Sequence, residues 1–207
     1  MKYPPQHHQE SEYGNIIRLI KNYPLAVIMT ARQDSLGCSH IPLVYKSNDD
    51  LGILVGHMDI YNPQVAHFKA NPQVEVLFNG PEVYISPSVY HSTQLPTWNY
   101  FKAHLQGNIR LIDSPEKIKN SLMDMTNFLE GDQGNYTLEK DNPRMEKALP
   151  YIIGFEIEIL YWEGKYKISQ DKGKKDQAAA KEALKSAQKN TAEMIDALYA
   201  HHKVKRG

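Results

Sequence analysis

Apolar positions along the chain change period several times. In ESEYGNIIRLIKNY (10–23), Ile16, Ile17, Leu19 and Ile20 share one helical face and the run stops before Pro24, which predicts an opening helix. LAVIMTA (25–31) is almost wholly apolar, as in a strand buried on both faces. The turn RQDSLG leads to CSHIPLVYK (38–46), and the turn SNDDLG to ILVGHM (53–58), so a meander of three strands is expected. Residues 62–71 break the alternation, with Val65 and Phe68 spaced for a short helix. VEVLFNG (74–80) and EVYISPS (82–88) read as two strands about an Asn79-Gly80 turn.

In YFKAHLQGNIRLID (100–113), Phe101, Ala103 and Leu105 alternate with Lys102, His104 and Gln106, and Gly107 is expected to mark a bulge. Ser114-Pro115-Glu116 is a helix start, followed by a stripe of Ile118, Leu122, Met125 and Leu129. After a loop and the short helix RMEKAL, YIIGFEIEILYWEG (151–164) and KYKISQ (165–170) read as a final strand pair. From Asp176 to His202 the Ala-, Lys- and Glu-rich chain predicts a long helix with a modest apolar side. Helices thus flank a run of antiparallel strands, an α+β arrangement around a closed sheet rather than a doubly wound one. Neither the dinucleotide nor the P-loop glycine pattern is present.

Composition narrows the function classes. The chain has 207 residues, 41% hydrophobic and 23% charged, which fits one folded core with appended helices. Its 24 basic and 24 acidic side chains cancel, so the basic field of a nucleic-acid binder is missing and direct nucleic-acid binding is not expected. A single cysteine, Cys38, forms no internal disulfide and is expected half-buried and structural. The opening MKYPPQHHQE has no apolar core of a signal peptide, and no run approaches the roughly 18 apolar residues of a membrane helix. A cytoplasmic protein is expected. Nine histidines are scattered without HExxH, and with one cysteine there is no CxxC, so no metal centre is expected; His7–His8 and His201–His202 are read as solvated.

Three segments carry candidate chemistry. The densest is NGPEVYISPSVYHSTQLPTWNYFKAHLQG: a loop with Ser88, Tyr90, His91, Ser92, Thr93, Gln94, Thr97, Trp98, Asn99 and Tyr100 lies between two strands, with Tyr84 and Ser86 on one strand face. Hydroxyls and amides orient the edges of a planar polar ligand, and aromatic rings cover its faces. In GHMDIYNPQ (56–64), Asn62 before Pro63 caps the short helix, whose start is also a seat for phosphate. In GKYKISQDK (164–172), Lys165, Lys167 and Ser169 share a face by period two, either a solvated face or, beside a cleft, an anion site.

NYPLA (22–26), SHIPLV (39–44), the GHM…NPQ segment, NGPEVYISPSVY, LPTWNY and GFEIEI…EGKYKISQ occur in this order over nearly the whole chain. In these pieces the sequence resembles the PaiB-type FMN-binding negative transcriptional regulator family, a variant of the FMN-binding split barrel shared with pyridoxamine-phosphate oxidase-like proteins. The resemblance implies a six-stranded antiparallel split β-barrel over residues 1–170, with a helical excursion at about 114–149 and a C-terminal helical extension over 171–207. It also implies a homodimer with FMN in the cleft between protomers. In the wider fold a basic residue about seven positions before an Asn-Pro grips the phosphate. Gln64 stands seven before Asn71-Pro72 here, leaving the charge to Lys167 or Lys102. The cofactor-binding residues expected on this basis are His57, Asn62, Gln64, Ser86, Ser88, Trp98, Asn99, Lys102, Lys167, Ser169 and Gln170. The implied function is negative regulation of gene expression without a recognisable DNA-binding motif. A flavin-dependent oxidoreductase is the alternative, with no compelling acid–base pair and with His91 and Tyr90 as candidates by their place in the loop alone, and a haem protein with a single His ligand is the third reading.

Overall fold

The computed structural model describes residues 5–32 and 35–187. In chain order the elements are β1 (Gln9–Glu10), α1 (Tyr13–Asn22), β2 (Leu25–Arg32), β3 (Ser35–Pro42), β4 (Val44–Lys46), β5 (Ile53–Asp59), α2 (Gln64–Ala70) and β6 (Gln73–Ile85). After them come β7 (Thr97–Ile112), α3 (Pro115–Glu130), α4 (Pro143–Ala148), β8 (Ile152–Lys167) and α5 (Lys174–Ala187). The predicted long helix is therefore described only to Ala187; its remainder lies outside the described residues.

The strands form one sheet in the order β3-β2-β6-β7-β8-β5-β4, with β1 beside β8. The sheet has eight strands rather than six and is not closed: β3 and β4 end the hydrogen-bonded path. The expected single strand 38–46 is divided at Pro42 and Leu43. Pro42 cannot donate to a ladder, and the Leu43 N–H donates to the Pro24 carbonyl at 2.9 Å, in line with the β2–β3 pairing. The halves then choose different partners, β3 pairing with β2 and β4 with β5. β1 has only two residues, too few for any periodicity to reveal.

Three expected breaks are absent. Asn79-Gly80 lies inside β6, where Val74, Val76, Phe78 and Gly80 alternate as buried positions; sheet pairing overrides a local turn preference here. β8 runs unbroken through Gly164, and a Cβ on that glycine would come within 2.6 Å of Glu10 Cβ and 2.7 Å of Ile16 Cδ1. Alternation also continues through Gly107, with no bulge there. A Cβ on Gly107 would approach the Glu158 carbonyl oxygen to 2.3 Å, so this glycine admits a neighbouring backbone.

The chain divides into two compact units. The sheet unit comprises Glu10–Gly80 and Lys102–Gly164. Its core gathers Ile16 and Ile20 of α1, Ala26 and Ile28 of β2, Phe78 of β6, Leu105 of β7, and Phe155 and Ile157 of β8. Full burial of each large side chain contributes about 1.5–3 kcal/mol. On α3 the buried stripe is Ile118, Ser121 and Met125, while Leu129 is exposed. The helix thus docks along the 118–121–125 line rather than the 118–122–125–129 line, and a serine occupies a stripe position. Ser114 holds the N-cap position without a side-chain capping bond, leaving Pro115 and Glu116 as the start signal. Cys38 is exposed, because its strand position opposite Met29 places it on the outward face of the β2–β3 pair.

The loop unit, among the described residues, comprises 5–9, Pro81–Phe101 and 165–187. Ile85, Tyr90 and Ala180 form its small core, with Val83, Val89 and Ala183 packed around them.

Candidate functional site

Within the loop unit, strand alternation decides which groups meet. Thr97 and Asn99 of β7 share one face, and Trp98 and Tyr100 the other. Asn99 is 1% exposed, and its amide meets Ser169 Oγ, with Nδ2 at 3.1 Å and Oδ1 at 3.2 Å. The Tyr90 hydroxyl lies 2.8 Å from the same Ser169 Oγ. Ser169 is not on the strand with Lys165 and Lys167: β8 ends at Lys167, and Ser169 sits in the following turn at φ 62°. A left-handed non-glycine residue costs on the order of 1 kcal/mol, here offset by the bonds to Tyr90 and Asn99. Gln170 closes this turn, its Oε1 accepting from the Ile168 N–H at 2.8 Å and its amide donating to the Tyr166 carbonyl.

Lys167 Nζ donates to Thr97 Oγ1 at 2.6 Å. On the opposite face of β7, the Trp98 ring stands edge-on to Tyr84, centroids 6.3 Å apart, and the two are 53% and 49% exposed. Beyond β6, Ser86 and Ser88 bond each other through their hydroxyls at 2.8 Å across a single 3-10 turn, Pro87–Val89.

Two further residues belong to this unit's polar set. Asp176, in the first turn of α5, accepts from the His91 N–H at 2.6 Å, the Ser92 N–H at 3.4 Å and the Ser92 hydroxyl. The Ser92 hydroxyl, helped by the two N–H groups, holds this carboxyl below the usual aspartate range. No local pattern distinguishes Asp176 in the sequence, since an acid in the first turn of a helix is common. His8, read as solvated, is half-buried, and its ring meets Gln170, with Asp171 and Lys167 close enough to act on its charge. Burial, with His7 and Lys167, lowers its pKa; Gln170 and Asp171 oppose that shift.

The sheet unit gathers a second polar group. Asn62 Oδ1 accepts from the Gln64 N–H at 2.9 Å, and its Nδ2 donates to Ser39 Oγ at 3.1 Å. Pro63, rather than Asn62, holds the N-cap position of α2, which has only seven residues. Gln64 is 3% exposed and donates to the Ile28 carbonyl at 3.0 Å and to Thr30 Oγ1 at 3.1 Å. Thr30 Oγ1 lies 3.1 Å from His67 Nδ1, and Ser35 Oγ 3.5 Å from His67 Nε2. Gly37 roofs this group: a Cβ there would lie 2.6 Å from Thr30 Oγ1 and 2.9 Å from Gln64 Cγ.

His57 on β5 has a buried Nδ1 without a hydrogen-bond partner among the described residues, and burial lowers its pKa. Lys102 is half-buried on β7. The expected site residues therefore fall in two groups. Ser86, Ser88, Trp98, Asn99, Lys167, Ser169 and Gln170 are in the loop unit, and His57, Asn62, Gln64 and Lys102 in the sheet unit. A groove of about 450 Å³ on the sheet unit, lined by Met29, Leu36 and Leu160 among others, includes none of them. Among the described residues no three His, Cys, Asp or Glu side chains are placed to hold a metal ion, and no helix is long and apolar enough to cross a membrane.

A flavin mononucleotide requires a cation or several donors at its phosphate, hydrogen-bonding groups along the ring edge and flat walls for the ring. The loop unit has the matching chemistry in Lys167, in the hydroxyls of Thr97, Ser86 and Ser88, and in the half-exposed rings of Tyr84 and Trp98. Gln64 does not add to it, because both of its amide hydrogens are used inside the sheet unit.

Comparison with known proteins bears on the same cofactor. The model of the family described as "Putative FMN-binding domain" matches residues 2–160. The chain is 29% identical over 195 residues to the protease synthase and sporulation protein PAI 2 of Bacillus subtilis, covering 93% of this chain and 94% of that protein. In structure it resembles the FAD and heme binding protein of Mycobacterium smegmatis, with a TM-score of 0.61 at 17% identity, covering 83% of this chain and 80% of that one. A flavocytochrome of Azotobacter vinelandii is similar at a TM-score of 0.61 and 11% identity, covering 83% of this chain and 75% of that one. At such identities these two likenesses speak for the fold alone. The family match runs through every strand but the end of β8, and the chain belongs to the family of FMN-binding domains, with FMN as the family's cofactor.

Proposed function

We propose that this chain binds FMN through its loop unit and acts, as a PaiB-like flavoprotein, in the negative regulation of gene expression. The observation that carries the reading is the Lys167–Thr97 pair at the start of β7, in a member of an FMN-binding family. Lys167 neutralises the phosphate, and Thr97 holds the ammonium in place. Asn99, Ser169 and Tyr90 fix the strand ends that carry these groups. When bound, FMN supplies hydride and electron transfer, which side chains cannot perform.

Zero net charge favours regulation that does not depend on sequence-specific DNA contact. A homodimer with the cofactor between protomers belongs to this reading. The test is the visible absorption spectrum of the purified chain before and after FMN addition and desalting, with its native mass. The expected result is a retained flavin spectrum on a particle of twice the chain mass. No uptake of FMN would sink the reading, and a Soret band on adding haemin instead would transfer it to haem.

A further inference from the structure

The head of α5 is bonded to two separate segments of the loop unit. Towards the β6–β7 loop, the Asp176 carboxylate, 4% exposed, accepts from two backbone N–H groups and one hydroxyl at His91 and Ser92. Backbone donors fix the path of a loop and not merely a side chain upon it. Ala180 and Ala183, four and seven residues on and so on the same helical face, pack against Ile85, Tyr90, Val83 and Val89. Towards the turn after β8, Gln177 Nε2 donates to the carbonyls of Gln170 at 3.3 Å and Lys172 at 2.7 Å. The Tyr90–Ser169 bond then ties the two segments to each other. One segment leads into Thr97 and Trp98, and the other follows directly on Lys167.

We propose that α5 is a positioning element for the flavin site: through Asp176 and Gln177 it holds both segments that carry the cofactor-binding groups, so that seating of α5 and occupancy by FMN favour each other. This rests on the FMN reading above. Asp176 acts through the loop and is a positioning residue, without contact to the cofactor. Because coupling between two sites is reciprocal, FMN binding must stabilise α5 by as much as a seated α5 strengthens FMN binding.

The test uses the full chain, with amide hydrogen exchange over Lys174–Ala187 measured with and without FMN, and FMN affinity measured for Asp176→Asn and Asp176→Ala. In the wild type, FMN is expected to slow exchange in α5. Affinity is expected to fall in the order wild type, Asp176→Asn, Asp176→Ala, with the alanine variant weaker by roughly fivefold or more. The exchange measurement requires no variant and decides the matter even if Asp176→Ala fails to fold. FMN that binds the wild type without changing α5 exchange overturns the inference; a wild type that takes up no FMN overturns the functional reading instead.

Discussion

The two polar groups expected to hold a cofactor use their polarity differently. Around Gln64 in the sheet unit the hydrogen bonds run inward: the amide hydrogens go to Ile28 and Thr30, Thr30 meets His67, and a Cβ at Gly37 would crowd all three side chains. In the loop unit the innermost groups, Asn99, Ser169 and Tyr90, are likewise joined to one another, but Lys167, Trp98 and Tyr84 remain at least partly exposed. A polar cluster is thus a site candidate only to the extent that the fold has not already used its donors. Both clusters read alike in sequence, since amides and hydroxyls serve either purpose.

The contrast breaks most sharply at Gln64. Gln64→Lys introduces the basic residue that the wider fold would place there, but at a position 3% exposed and without an acidic partner on the hydrogen bonds described. A buried unpaired ammonium is expected to cost several kcal/mol. Chemical denaturation should therefore show a much less stable protein with no gain in FMN affinity. Tighter FMN binding at undiminished stability would show that this position faces the phosphate after all.

A smaller effect, of the opposite kind, is expected at Lys167. Lys167→Gln removes a half-buried cation whose bond to Thr97 a neutral amide can partly replace. Stability should change by about 0.5 kcal/mol or less, while FMN affinity, read by quenching of flavin fluorescence, should fall on the order of tenfold from the loss of a charge-assisted phosphate bond. Riboflavin, which lacks the phosphate, should bind wild type and variant alike.

The smallest effect is one of pH. Burial lowers the pKa of His57 and, against the opposing pull of Gln170 and Asp171, that of His8. In each case the unfolded chain binds a proton more readily than the folded one. The stabilising contribution is therefore present above the unfolded value near 6.5 and is lost as pH falls below it towards the lowered folded value. The melting temperature should drop between pH 7.5 and 5.5, and less so in His57→Gln than in the wild type. An equal drop in both would remove His57 from this account and leave His8 and the loop unit as its source.

How much was legible depends on whether a signal is local. The opening helix, the apolar run of β2 and the short α2 follow from spacing and turn residues close in sequence, and the Pro115-Glu116 start of α3 is likewise self-contained. The breaks expected at Gly107 and Gly164 are absent for one reason: glycine signals a bulge or a turn locally but also admits a close neighbour. Glu158 and Glu10, which approach Gly107 and Gly164, are 51 and 154 residues away in the chain. The roles of Gln64 and Asp176 were hidden in the same way, since their partners at Ile28 and His91 lie 36 and 85 residues off.

By itself the sequence determined the class of the fold, the polar and aromatic stock of the segment from Asn79 to Ile112, and the family resemblance that points to FMN. These are properties of composition, period and motif, which survive without contact information. Only the tertiary structure decided that the 38–46 run serves two strands on different partners, and that Gln64 turns inward. It also placed Ser169 in a left-handed turn bonded to Tyr90 and Asn99, and brought Asp176 against the β6–β7 loop. Those outcomes depend on which distant backbone groups compete for the same hydrogen bonds, and that competition is resolved only when the strands have paired and the core has closed.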